Sequence, residues 1–96
     1  MLEIRKTDTF AEWLDNLRDL RARARVLVRI ERLTSGNYGD VAPVGEGVSE
    51  MRIDYGPGYR VYFTMIGTAV VILLAGGDKS TQRSDIRKAI NLARQL

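Results

Sequence analysis

Three cations stand out by type and spacing. Arg52 and Arg60 sit in alternating segments on either side of Gly56-Pro57-Gly58, and Lys79 follows the apolar run Val70 to Ala75 through Gly76-Gly77-Asp78. Guanidinium groups stay protonated and can donate two parallel hydrogen bonds, which suits phosphate oxygens. Two glycines let the backbone turn sharply before Lys79, and a following helix offers free amides to an anion. Gathered on one sheet surface, these cations suit a phosphate ligand. In a small basic chain without histidine, the ligand that fits best is RNA or DNA.

Each of these residues also has a plainer reading. Arg60 could form a cross-strand ion pair with Asp54, although an exposed pair is worth only ~0.2–1 kcal/mol. Arg52 could stack on or hydrogen-bond to Tyr62 across the hairpin. Lys79 or Asp78 could simply fix its loop by a salt bridge. Alternatively, Lys79 could serve as base or acid. Tyr55 and Tyr59 flank the turn and could stack on an unstacked base, but strand alternation puts both in the core-facing register.

The elements that must position these groups are legible in hydrophobic periodicity. Leu2 to Arg5 reads as a short strand. Thr9-x-x-Glu12 is a capping-box pattern, and Phe10, Trp13, Leu14 and Leu17 follow at helical spacing. After a break near Arg18-Asp19, a second helix is expected from roughly Arg21 to Thr34, with Ala22, Val26, Ile30 and Leu33 as its apolar face and Gly36 as its stop. The two helices should form an antiparallel hairpin over one sheet face. Asn37 to Gly47, with Gly39, Pro43, Gly45 and Gly47, reads as loop.

Beyond the loop, Met51, Ile53, Tyr55, Tyr59, Val61 and Phe63 alternate with Glu50, Arg52, Asp54, Arg60, Tyr62 and Thr64. Pairing Tyr55 with Tyr59 would set Asp54 opposite Arg60 and Arg52 opposite Tyr62, with the arginines on an open face. Gly67-Thr68 reads as a tight turn. Val70 to Ala75 has no polar alternation and should be an interior strand buried on both faces. Ser80 or Thr81 could cap a last helix whose stripe is Ile86, Ala89, Ile90 and Ala93. The expected fold is α+β, in the order β-α-α-β-β-β-α, with an antiparallel meander covered on one face by the helical hairpin. One domain spans residues 1–96.

Composition narrows the chemistry. With 15 Lys plus Arg against 12 Asp plus Glu the chain is only mildly basic, so an anion site must come from local clustering. Residues 21–32 and 79–94 are such clusters. The absence of cysteine and histidine excludes disulfides, thiolate nucleophiles, the usual zinc ligand sets and histidine triads. No carboxylate cluster suggests a metal, and no cofactor is expected. The longest apolar run, Ala69 to Ala75, is far too short to span a membrane, and Leu2 to Lys6 lacks the apolar region of a secretory signal. The cytoplasm is the expected compartment.

The pattern of two helices followed by GN-x-GDV-x-PVGEGVSE-x-RIDYGPGYRVYF and GGDKSTQ-x-x-DI resembles toxins of the RelE/ParE superfamily, and within it the "addiction module killer protein" branch grouped with HigB-type toxins. The match covers nearly the whole chain, and Gly45 to Phe63 with Gly76 to Gln82 carries it. The resemblance implies a bacterial type II toxin held inactive by a small helix-turn-helix antitoxin, with operator DNA reached only through that complex. Many members of the superfamily cut messenger RNA in the ribosomal A site without a metal; a separate ParE group poisons DNA gyrase. A third possibility is an inactive homologue acting as operon co-repressor.

By the same resemblance, Arg60 matches the arginine directed at the scissile phosphate and Arg52 one that clamps a neighbouring phosphate. Lys79 would assist proton transfer or bind phosphate; from their own types and positions, Arg83, Tyr59 and Tyr55 are the candidates for RNA contact. The chain departs from compact RNA-cleaving relatives at its end: Asn91 to Leu96 carries neither the aromatic residue nor the histidine often found there, leaving Arg83 or Gln82 as substitutes. The arginine-rich second helix could contact ribosomal RNA, dock the antitoxin, or simply be solvated.

Overall fold

In the computed structural model, which describes residues 1–96, strand β1 (Glu3–Lys6) leads directly into helix α1 (Asp8–Asp15). Thr7, rather than Thr9, caps this helix. Its Oγ1 accepts from the Phe10 amide at 3.0 Å and donates to the Leu74 carbonyl at 2.7 Å. Thr7 leaves β1 with an extended backbone, the geometry an N-cap requires, whereas Thr9 already lies within the helix. Helix α2 (Leu20–Thr34) is capped by Asp19, whose Oδ1 accepts from the Arg21 and Ala22 amides. It ends at Gly36, which takes φ +83. The Gly36 amide donates to Leu33 O and the Asn37 amide to Arg32 O, the paired bonds that close a helix through a left-handed residue.

The segment expected as loop contains a strand. β2 (Val41–Gly45) precedes β3 (Val48–Ile53), β4 (Tyr59–Ile66) and β5 (Val70–Asp78), so the order is β-α-α-β-β-β-β-α. The sheet runs β1-β5-β4-β3-β2; β1 is parallel to β5 and the other neighbours are antiparallel. β2 lies at the edge, where Pro43 can sit without breaking an interior ladder. Pro43 and Gly45 within it, and Gly39 and Gly47 on either side, hid it in the sequence.

The hairpin register also differs from the expectation. Ile53, not Tyr55, pairs with Tyr59, because Asp54 to Gly58 all belong to the turn. The shift is two residues, so each side chain keeps its face, but the partners change. Arg52 is directly opposite Arg60, and Glu50 is opposite Tyr62.

Both faces of the sheet are covered. The α1–α2 hairpin packs Phe10, Leu14, Val26 and Leu33 on Met51, Ile53, Val61, Phe63, Val71 and Leu73. Each such side chain contributes ~1.5–3 kcal/mol by burial. Helix α3 (Gln82–Arg94) lays Ile86, Ala89, Ile90 and Ala93 on Val48, Tyr62, Ile72, Leu74 and Ala75 on the opposite side. The face expected to be open is therefore a second core layer, because the α3 stripe needs an apolar surface and only this one is left.

Gly76 and Gly77 are strand residues of β5, not a turn. A Cβ on Gly76 would meet the Trp13 ring at 2.1 Å, and one on Gly77 would meet Asp85 Oδ2 at 1.8 Å. They let α1 and α3 approach opposite faces of the same strand. Beyond them a short 3-10 turn, Lys79–Thr81, is capped by Asp78, which accepts from the Ser80 amide. Thr81 directs its hydroxyl to Asp85 instead of capping α3. No helix is long and apolar enough to cross a membrane.

Candidate phosphate-binding cleft

The β3–β4 turn and the end of β5 bring Arg52, Arg60 and Lys79 into one cleft of about 330 Å³. Tyr59 pairs with Asp78 and Arg60 with Gly77, which sets Lys79 beside the turn. Gly58, at φ +80, lies against both Arg60 and Lys79: a Cβ there would be 3.4 Å from Arg60 Nη1 and from Lys79 Cβ. A glycine is thus required at this position by its left-handed backbone. Asp40 and Asp54 also line the cleft, so it is a local array of donors rather than a strongly positive field.

Glu50, which the sequence reading passed over, organises this array. It is 1% exposed. Its Oε2 accepts from Arg52 Nε at 3.1 Å, and its Oε1 accepts from Gln82 Nε2. The Tyr62 hydroxyl lies 3.5 Å from Oε1, and Arg60 Nε lies 3.6 Å from it. One carboxylate therefore separates two arginines that the register sets face to face, an arrangement that would otherwise be repulsive. A glutamate two positions before an arginine on the same strand face was the available signal. Its burial could not be read without knowing that α3 covers that face.

Arg60 is the more constrained cation. Its side chain is 12% exposed, and Nη1 donates to the Gly58 and Tyr59 carbonyls at 3.1 and 3.2 Å. Its buried Nε has no hydrogen-bond partner, and Nη2 makes no hydrogen bond. Arg52 is 42% exposed; beyond Glu50 it reaches Asp40 at 3.5 Å. The ion pair of Arg60 with Asp54 and the contact of Arg52 with Tyr62 do not form; Glu50 takes both arginines instead. Tyr62 is completely buried, and burial, reinforced by Glu50, pushes its phenol well above the ordinary tyrosine value.

The other candidate residues lie elsewhere. Tyr55 and Tyr59 pack on the hairpin side of the sheet, away from the arginines. Arg25 stands over the Tyr55 ring at 4.6 Å, and Tyr59 meets Trp13 edge-on with centroids 6.3 Å apart. Burial raises the Tyr59 pKa, with Asp19 and Asp78 adding to the effect. Arg83 is exposed at the start of α3 and does not line the cleft. No three carboxylates converge closely enough to hold a metal ion.

A mixed five-stranded sheet with a helical hairpin on one face and a terminal helix on the other is the α+β arrangement of RelE/ParE-like domains. The chain belongs to the family described as phage-derived Gp49-like proteins (DUF891), whose model matches residues 12–96, and that family falls broadly within the RelE/ParE-like superfamily. It is also similar to an uncharacterised protein of Haemophilus influenzae strain Rd, at 50% identity over 95 residues covering 99% of this chain and 96% of the relative.

Proposed function

We propose that this protein is the toxin of a type II toxin–antitoxin module and cleaves messenger RNA on the ribosome. The observation that carries the reading is the convergence of Arg52, Arg60 and Lys79 in one cleft beside the Gly56–Gly58 turn, with Arg60 held in place by Glu50. In this reaction the 2′-hydroxyl loses its proton and attacks the adjacent phosphorus. The bond to the 5′-oxygen then breaks, and that oxygen is protonated as it leaves. The unpartnered Arg60 Nη2 and the exposed edge of Arg52 would donate to the phosphate oxygens as charge builds on them. Such pre-positioned donors supply several kcal/mol of transition-state stabilisation. Lys79, which lines the same cleft, is the candidate for proton transfer or for a further phosphate contact. The partners implied are a helix-turn-helix antitoxin, the ribosome with its message, and operator DNA through the antitoxin complex, all in the cytoplasm.

One observation supports the gyrase-directed alternative. Arg60 is already engaged by Glu50 and by two backbone carbonyls, so a purely structural role accounts for it. The two readings separate in a reconstituted system. Ribosomes programmed with a defined message should yield cuts when the protein is added, and naked message should stay whole. Intact message together with loss of supercoiling by purified gyrase would overturn the nuclease reading.

A further inference from the structure

Helix α2 carries Arg21, Arg25, Arg29 and Arg32 along one groove of about 640 Å³. None of the four forms a salt bridge. Arg23, on a different side of the helix, does pair with Asp15. Like charges at i, i+4 destabilise a helix by a few tenths of a kcal/mol per pair, and Arg21 and Arg32 make no side-chain hydrogen bond or ion pair that would offset this. Four residues of helix rise about 6 Å, which sets successive guanidiniums at a spacing commensurate with successive phosphates of an extended strand. Two of the four are fixed in direction: Arg25 over Tyr55, and Arg29 by donating to the Arg52 and Tyr38 carbonyls. Burial lowers the Arg29 pKa, although an arginine remains charged under working conditions.

The groove adjoins the cleft at Ile53 and Asp54, which line both. We infer that the α2 arginines form a backbone track for single-stranded RNA, along which the strand entering the Arg52–Arg60–Lys79 cleft continues past Asp54. This rests on reading the cleft as a phosphate site. This adjacency favours a polymer of phosphates over an acidic protein segment, since a strand held at the cleft has the groove as its next cationic surface. Asp54 is the only carboxylate lining the groove and opposes the strand at the junction.

The test is fluorescence anisotropy with non-cleavable 2′-O-methyl RNA, comparing a trinucleotide that fills the cleft with a dodecanucleotide that also spans the groove. Replacing Arg21, Arg25 and Arg32 together by Gln should lower the salt slope for the long oligonucleotide by about 2, from about 0.7 per phosphate contact; that is ~100-fold in affinity at 0.1 M salt. Trinucleotide binding should not change. The triple Lys variant should keep the slope, which separates lost charge from lost folding. Equal slopes for wild type and the Gln variant would overturn the track. So would equal loss for both oligonucleotides, or binding of polyglutamate in place of RNA. A lowered slope with messages left intact in cells would keep the track and remove the nuclease; cleavage with unchanged slopes would do the reverse.

Discussion

Replacing Glu50 by Gln removes one buried charge and keeps the shape. At 3.6 Å the attraction between Glu50 and Arg60 is ~4–5 kcal/mol before desolvation, for an effective dielectric of about 20. Removing one partner of a buried pair typically costs about 3–5 kcal/mol, since the other charge is left uncompensated. The Arg52 contact is partly exposed and adds less than about 1 kcal/mol. The glutamine can still accept from one donor, so the expected loss is about 3 kcal/mol. With a urea m-value of about 1.5 kcal/mol/M, the unfolding midpoint should fall by about 2 M. Trp13, the only tryptophan, packs on Gly76 and reports the transition by fluorescence. In an Arg60→Met background the same substitution should cost much less, because the charge it strands is gone. A loss below about 0.5 kcal/mol, the range of ordinary surface changes, would refute the role given to Glu50. Equal losses in both backgrounds would also refute it.

Three further outcomes follow from the geometry. Gly76→Ala should cost about 3 kcal/mol and shift Trp13 emission, since its Cβ meets a rigid ring; wild-type stability would show that α1 can withdraw from β5 freely. Gly36→Ala should cost about 1 kcal/mol in chemical denaturation through the positive φ that closes α2, and no change would mean that this helix end is not closed by a left-handed residue. The raised Tyr62 pKa means that the folded state keeps a proton the unfolded chain loses above about pH 10. Its contribution to stability is therefore full below that pH and falls as pH rises further, so urea midpoints measured between about pH 9 and about pH 11 should drop less steeply in Tyr62→Phe; an unchanged slope would assign the alkaline loss to other groups.

Helices and strands with strong periodicity were legible in the chain. Val26 and Leu33 on one helix, and Met51, Val61 and Phe63 on the strands, all lie in the hairpin-side core as their spacing implies. The second core was harder to read, because Glu50 and Tyr62 look like the polar half of an alternating strand until the α3 stripe is seen to need that surface. β2 was masked by Pro43 and Gly45, which an edge strand tolerates. The Gly76-Gly77 pair signals flexibility locally, yet its reason is tertiary, set by Trp13 on one face and Asp85 on the other. The three cations of the cleft were identified by residue type and spacing, whereas their shared carboxylate depended on a two-residue shift in register that no local pattern specifies.

The central claim is tested most directly by inducible expression of wild type and Arg60→Ala in bacteria, with primer extension on abundant transcripts. The account predicts growth arrest with cuts in codon phase for the wild type, and neither for Arg60→Ala present at equal folded levels. Arrest with intact transcripts, or cleavage that survives Arg60→Ala, would contradict it.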